Sequence, residues 1–264
     1  SLEVKSIRGL FLAGQINGTS GYEEAGCQGL IAGINAGLAV KGAPAFTLAR
    51  SDGYAGILID DLISKGADEP YRMFTSRAEF RLHLRIDNAD ERLTPKGREI
   101  GLVDDARWNA YTNKRTQKES AAALLRATRA REVAEVVGSD AAEDNPTLEV
   151  WLRRPEARIE ALKGWLERRL GTEFVHGVLA TVETEAKYAG YLSQQTKQIE
   201  RLNEAEDRRI PVHFEYSGIP GLSREVQQKL TRVRPETLGQ ARRIPGVTPA
   251  AVAVLDVYLS VSGK

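Results

Sequence analysis

GLFLAGQINGTSGYEEAGCQGLIAGINAGLAV, residues 9 to 40, is the stretch that decides how this chain folds. Residues 9 to 14 are a short apolar run ending in glycine, which predicts a buried strand, and Gln15 to Gly21 supplies the glycines, Asn and Ser of a sharp loop. From Tyr22 to about Leu38 the pattern predicts a helix. Glu23 and Glu24 fall in its first turn, where carboxylates suit the positive end of the helix dipole. Gly29, Gly33 and Gly37 recur on one helical face, so that face is expected to pack closely on another backbone, offsetting a cost of about 1 kcal/mol per glycine. The strand-to-helix junction presents backbone N–H groups and a positive dipole to a phosphate or other polar ligand, while the same glycines also fit a plain tight turn. Neither a Gly-Lys-Ser/Thr sequence nor G-x-G-x-x-G occurs here, so this junction is not expected to grip a dinucleotide alone.

Beyond it, residues 41 to 56 read as a connection leading to GILIDDLI at 56 to 63. Phe80, Leu82 and Leu84 alternate with Arg81, His83 and Arg85, which predicts a half-buried strand. Thr94 to Gly101 is expected to begin a helix with Pro95 at its first position. Asp104 or Asp105 is expected to cap a long helix ending by Gly138, followed by a polar linker, SDAAEDNPT, at 139 to 147. Further helices are expected over 148 to 170, broken near Pro155, and over 178 to 207. Residues 218 to 264 alternate glycine or proline punctuation with helix formers, as a small terminal bundle does.

With 264 residues, 42% of them hydrophobic and 28% charged, the chain is an ordinary globular sequence able to bury a sizeable core. One cysteine and three scattered histidines, His83, His176 and His213, exclude a disulfide framework and a locally spaced zinc cluster. A reducing, cytoplasmic setting follows from that cysteine usage. No apolar stretch approaches membrane-spanning length, and residues 1 to 8 do not read as a signal peptide. Cys27, near a helix start, has two readings, a thiolate nucleophile and a small packing residue, and the second is preferred.

The net charge of +1 hides two local excesses. Residues 72 to 98 hold seven Arg or Lys against four Asp or Glu, with Arg77, Arg81 and Arg85 at four-residue steps. Arginine forks suit phosphate oxygens, and Tyr71, Phe74 and Phe80 offer a stacking surface for an unpaired base. The alternative is a solvated strand whose arginines pair with Glu79, Asp87 and Asp90. Between 224 and 243, six basic residues face two acidic ones. The neighbouring LGQARRIPGVTPAAVAVL, residues 238 to 255, reads either as a phosphate-binding hairpin of helices or as a helix corner capped by Thr248, with Pro249 opening the next helix.

Residues 9 to 25 resemble the second flavin-contacting motif of two-dinucleotide flavoproteins, with Gln15 where many of that superfamily carry Asp. AGQINGTSGYEEA at 13 to 25 with QGLIAGINA at 28 to 36 is similar to the tRNA uridine 5-carboxymethylaminomethyl modification enzymes, the MnmG/GidA family. GYAGILIDDLISKGADEPYRMFTSRAEFRLHLRIDNADERLTPKGREIGLVDD, from 53 to 105, is similar to that family almost throughout. The resemblance thins over 106 to 175, then returns in ETEAKYAGYLSQQ at 183 to 195 and in GLSREVQQKL, RPETLGQARRI and GVTPAAV.

The resemblance implies a mainly α fold, a short α/β remnant of an FAD-binding domain followed by a helical C-terminal domain. The expected divisions are 1–42 for the edge of the FAD-binding domain, 43–100 for a basic substrate-side segment with strands, 101–208 for a helical domain and 209–264 for a small helical subdomain. It also implies an enzyme that uses FAD, with NADH as reductant, to install a carboxymethylaminomethyl-type group at C5 of the wobble uridine of tRNA, together with a dimeric GTPase and as a homodimer. Gly14, Gln15, Ile16, Asn17, Gly18, Thr19 and Gly21 are the expected FAD contacts, and Arg72, Arg77, Arg81 and Arg85 the expected RNA contacts. No catalytic residue and no metal ligand is assigned. A complete family member begins with a nucleotide-binding fingerprint and an NADH-binding insertion that precede this sequence, so the chain alone is expected to be inactive. A non-catalytic RNA-binding module or a partner-docking module is the alternative.

Overall fold

The computed structural model describes residues 1–262. Its α-helices are α1 Tyr22–Val40, α2 Tyr54–Lys65, α3 Ala89–Glu99, α4 Asp105–Ala127, α5 Ala134–Val137, α6 Ser139–Asp144, α7 Leu148–Trp151, α8 Lys163–Leu170, α9 Val178–Lys187, α10 Ala189–Asp207, α11 Arg224–Val233, α12 Leu238–Arg243 and α13 Pro249–Ser262. The fold is mainly α, and pairing of extended backbone among the described residues is limited to isolated bridges. Two compact units form, one from residues 1–81 with 196–264 and the other from 82–195.

In the first unit, residues 2 to 12 reverse on themselves: Val4 N–H donates to Leu10 C=O, Leu12 N–H to Leu2 C=O, and Glu3 bridges Phe11. The strand expected at 9 to 14 is therefore reduced to a single bridge, because among the described residues no further extended segment lies alongside to continue its ladder. Helix α1 matches its expected start and runs two residues past Leu38. Among the described residues its glycine face packs on no other backbone, since a Cβ added at Gly29, Gly33 or Gly37 would meet none of their atoms within 4 Å. Helix α2 is instead where backbones crowd: a Cβ at Gly56 would lie 2.1 Å from the Ala49 carbonyl oxygen.

Helices α11 to α13 bury Tyr216, Leu222, Val226, Leu230, Ala241, Val247 and Leu255 in one apolar cluster. Each helix is started by a hydroxyl accepting from the third N–H along: Ser223 from Val226, Thr237 from Gln240 and Thr248 from Ala251. The turn before α13 needs Gly246 at φ 87°. The Thr248-capped corner, with Pro249 as first helical residue, is thus the geometry adopted.

The second unit packs α4 against α7 and α9. Its core holds Ala121, Leu125, Leu148, Leu152, Leu162, Leu166 and Val182. Asp104 caps α4 by accepting from Arg107 N–H at 2.8 Å, as expected. Helix α4 ends at Ala127, before Gly138 as expected, where Leu148 N–H takes the Thr128 carbonyl at 3.0 Å and Ala130 N–H takes that of Pro146 at 2.8 Å. Within the expected polar linker, residues 139 to 144 form α6. The helix expected to open at Pro95 begins earlier, at Ala89, leaving Pro95 inside α3.

The strand expected over 80 to 85 is a series of turns. The Asn88 side-chain amide donates to His83 C=O, and the Arg85 guanidinium to Leu82 C=O. Local side chains thus occupy carbonyls that a ladder would need.

Candidate functional site

The loop from Gly14 to Thr19 is built around Gln28 of α1, which is fully buried. Its Oε1 accepts from Gly14 N–H at 2.8 Å and from the Thr19 hydroxyl at 3.3 Å, while its Nε2 donates to Asn17 C=O at 3.2 Å. Asn17 in turn donates through Nδ2 to Leu12 C=O. Gly14 and Gly18, at φ 83° and 81°, allow a one-turn 3-10 helix, Gln15–Asn17, between them. The loop's own hydrogen bonds leave the Gln15 and Ile16 N–H groups and the Gln15 side chain unused. Ile16 is 75% exposed.

A second segment lies along this loop. Tyr71 N–H donates to Gly18 C=O at 2.7 Å within a parallel bridge between Thr19 and Tyr71. Two residues on, Met73 N–H donates to Glu24 Oε1 at 2.9 Å. Glu24 is buried, its Oε2 has no hydrogen-bond partner, and Arg72 Nε stands 3.8 Å from Oε1. The Met73 and Glu24 backbone N–H groups, with Arg72 beside them, hold its carboxyl below the usual carboxylate range despite burial.

Beside Tyr71 sits a charged cluster assembled from residues far apart in the sequence. Arg50, with its side chain 4% exposed, donates to Asp60 at 2.9 Å, to Asp61 at 2.8 Å and to Glu79 at 2.7 Å. Burial opposes the Arg50 charge, but these three carboxylates outweigh it and raise its pKa. The Tyr71 hydroxyl donates to Asp61 at 2.9 Å, and Lys65 donates to the same carboxylate. Burial pushes the Asp61 pKa up, while Lys65, Arg50 and Tyr71 together bring it below the usual value. The doublet Asp60-Asp61 inside the apolar run GILIDDLI was the readable sign that a cation must be near; Arg50 carried no local signal of its own.

The expected arginines separate. Arg77 lies 4.4 Å over the Tyr71 ring, and its Nε donates to Arg72 C=O at 2.8 Å. The Arg72 side chain is 55% exposed, and Arg81 is exposed. Arg85 belongs to the second unit, where it pairs with Asp87 at 2.9 Å and approaches Glu185, with its side chain 13% exposed. The four-residue steps do not make one face, since no regular element runs from Arg77 to Arg85. Of the expected stacking aromatics, Tyr71 and Phe80 are buried and Phe74 is exposed.

Cys27 is half-buried, and burial raises its thiol pKa, which disfavours the thiolate. No group of three or more His, Cys, Asp or Glu among the described residues is placed to hold a metal ion. No helix among them is long and apolar enough to cross a membrane.

Three family models match the chain. One described as glucose inhibited division protein A covers residues 1–44, the tRNA modifying enzyme MnmG/GidA C-terminal helical domain covers 105–196, and the C-terminal helical bundle of the same enzyme covers 198–264. Two solved structures of Aquifex aeolicus GidA are 39% identical over 98% of this chain. The form II crystal gives a TM-score of 0.82 and the form I crystal 0.80. The mainly helical fold is therefore that of the C-terminal helical domain and helical bundle described for a tRNA modifying enzyme. The chain belongs to the MnmG/GidA family. It spans 42% and 40% of the two matched chains.

Proposed function

We propose that this chain is part of an FAD-dependent enzyme that installs the carboxymethylaminomethyl-type modification at C5 of the wobble uridine of tRNA. In that reading it supplies a flavin edge, a tRNA-binding surface and a surface for the dimeric GTPase partner, in a cytoplasmic protein whose full-length form is a homodimer. The observation that carries it is the 2.7 Å hydrogen bond from Tyr71 N–H to Gly18 C=O, which fixes the glycine loop and the Arg72–Arg77 segment side by side.

The loop's chemistry fits the edge of a flavin. The N–H groups of Gln15 and Ile16 and the amide of Gln15 complement the ring nitrogen and carbonyl acceptors of an isoalloxazine. Gly14, Asn17, Gly18 and Thr19 hold the loop in shape, and Gly21 leaves room for the Glu24 carboxylate, which an added Cβ would strike. FAD, with NADH as reductant, supplies the electron transfer that modification at a poorly nucleophilic carbon requires. Arg72 and Arg81 present guanidinium forks for phosphate, Arg77 holds the segment against Tyr71, and Phe74 offers its ring to an unpaired base. Arg85 is engaged by Asp87 and Glu185 and is not used in this reading. The basic α11–α12 surface is assigned to the tRNA and GTPase contacts.

Electrophoretic mobility of tRNA with this chain, titrated at several salt concentrations, tests the RNA surface. Replacing Arg72 and Arg81 by Ala is expected to weaken binding and to reduce the magnitude of the log–log salt slope by about one per lost phosphate contact. Unchanged affinity and slope in a variant with unchanged circular dichroism would remove both residues from the RNA role.

A further inference from the structure

Arg243 of α12 faces two carboxylates from other elements. Its Nη2 donates to Asp60 Oδ1 of α2 at 2.7 Å, its Nε stands 2.6 Å from Oδ2, and its Nη1 pairs with Glu206 of α10. Asp60 Oδ2 is shared, because Arg50 Nη1 also donates to it at 2.9 Å. The same Nη1 donates to Asp61 at 2.8 Å. Asp60 thus has two cations, and Asp61 draws on one of them. The side chains of Arg50, Asp60, Asp61 and Arg243 are 4%, 11%, 1% and 15% exposed, so solvent and salt screen these pairs weakly.

Asp61 is the link to the glycine loop. Its Oδ2 accepts from the Tyr71 hydroxyl at 2.9 Å, and Tyr71 N–H donates to Gly18 C=O at 2.7 Å. Arg77 lies 4.4 Å over the Tyr71 ring, with its Nη1 3.8 Å from Asp61 Oδ2, close but not hydrogen-bonded. Without the Arg243 charge, Asp60 keeps Arg50 as its ion-pair partner, and Arg50 Nη1 is drawn toward it and away from Asp61. A buried carboxylate that loses a donor has to take one from a neighbour, since water is not there to replace it. Arg77 is within reach, and closing on Asp61 takes it off the Tyr71 ring.

We propose that Arg243 is a positioning residue for the glycine loop: by holding Asp60 it leaves Arg50 to Asp61, which keeps Tyr71, and so Gly18, in place. The terminal bundle is in this way coupled to the loop through five consecutive polar contacts. Its bearing on the modification reaction rests on the flavin-edge reading above, while the coupling itself belongs to this chain.

The test is amide hydrogen exchange and amide chemical shifts in the whole chain, without flavin or RNA, for three variants. Arg243→Gln is expected to shift the Tyr71 and Gly18 signals and to speed exchange at Tyr71 N–H by at least about tenfold relative to Ile31 and Ala32 of α1. Adding Asp60→Asn removes the charge that pulls on Arg50, so the double variant is expected to recover most of the lost protection. Leu255→Val thins the fully buried core of the terminal bundle without removing a charge, and is expected to leave both signals in place. Unmoved signals in Arg243→Gln overturn the proposal. So does a double variant as perturbed as the single one, or an equal response in Leu255→Val, either of which makes Arg243 a structural residue only. If Arg243→Gln does not fold, the double variant, which has no unpaired charge at position 60, decides by whether its Tyr71 and Gly18 signals match those of the parent chain. A coupled loop that binds no flavin would sink the flavin-edge reading alone.

Discussion

Arg243 of α12 and Asp60 of α2, 183 residues apart, meet through Nη2 to Oδ1 at 2.7 Å and Nε to Oδ2 at 2.6 Å. Arg243 also pairs with Glu206, whose carboxylate accepts from the Thr237 hydroxyl that caps α12. Through Asp60 the contact reaches Arg50, Asp61 and Tyr71, so the terminal bundle and the loop-bearing segment of the first unit share one buried charge network.

Removing Arg243 is therefore expected to cost more than its own contacts. Arg243→Ala leaves the buried Asp60 and the half-buried Glu206 beside fewer cations, and breaking one side of a buried pair typically costs about 3–5 kcal/mol. Urea unfolding of the variant is expected to show a loss of that order. Asp60→Ala combined with Arg243→Ala is expected to cost less than the sum of the single losses, by roughly 0.5–3 kcal/mol. Additive losses would mean that the two residues do not interact.

Acid should attack the same network. The folded-state pKa values of Asp61 and Glu24 lie below their ordinary values of 3.8 and 4.5. Stability from these carboxylates is then fully present above the ordinary values and is lost as pH falls through the lower folded values. Stability measured by urea titration is expected to fall below about pH 4, and Asp61→Asn is expected to flatten that fall. At the alkaline end, burial and the bond to Asp61 raise the Tyr71 pKa, so its contribution is present below the ordinary value of 10.0 and is lost as pH rises beyond it. Tyr71→Phe should remove that alkaline loss.

The legible and illegible parts of the fold divide by range of interaction. Helices α1 and α4 could be read because their signals are local: Glu23 and Glu24 in one first turn, and the Asp104 cap of the other. The alternation of Phe80, Leu82 and Leu84 with Arg81 and Arg85 imitated a strand, yet a strand needs a neighbour that the residues themselves do not specify. Its side-chain bonds to nearby carbonyls make turns instead. In the candidate site, the glycine loop was legible as a loop. Gln28, Arg50 and Arg243, which hold the surrounding structure, were not, because each acts through partners that are 9 or more residues away. The glycine face of α1 was readable as a close-packing surface, but no atom of the described residues approaches it.

Gln28 offers a direct test of the loop. Gln28→Leu keeps a large buried side chain but removes the acceptor of Gly14 N–H and Thr19 and the donor to Asn17. Leaving these groups unmatched is expected to cost about 1–3 kcal/mol. Amide exchange at Gly14 should accelerate by a larger factor than exchange in the α11–α13 bundle. Equal protection of Gly14 in both proteins would show that Gln28 does not hold the loop.

Gly56 is the position where a single methyl group should matter most. In Gly56→Ala the Cβ would stand 2.1 Å from the Ala49 carbonyl oxygen and 2.6 Å from its carbon, both backbone atoms that cannot rotate away. Helix propensity alone would favour Ala by about 1 kcal/mol, so the sign of the effect separates the two influences. Overpacking of this kind typically costs about 1–3 kcal/mol, and the clash with backbone should put Gly56→Ala at or beyond that range. Gly33→Ala, on the open face of the same unit's α1, is the matched control, because its Cβ meets nothing within 4 Å. Thermal unfolding should therefore show Gly33→Ala neutral or stabilised and Gly56→Ala destabilised. A stabilised Gly56→Ala would refute the close approach of α2 to Ala49.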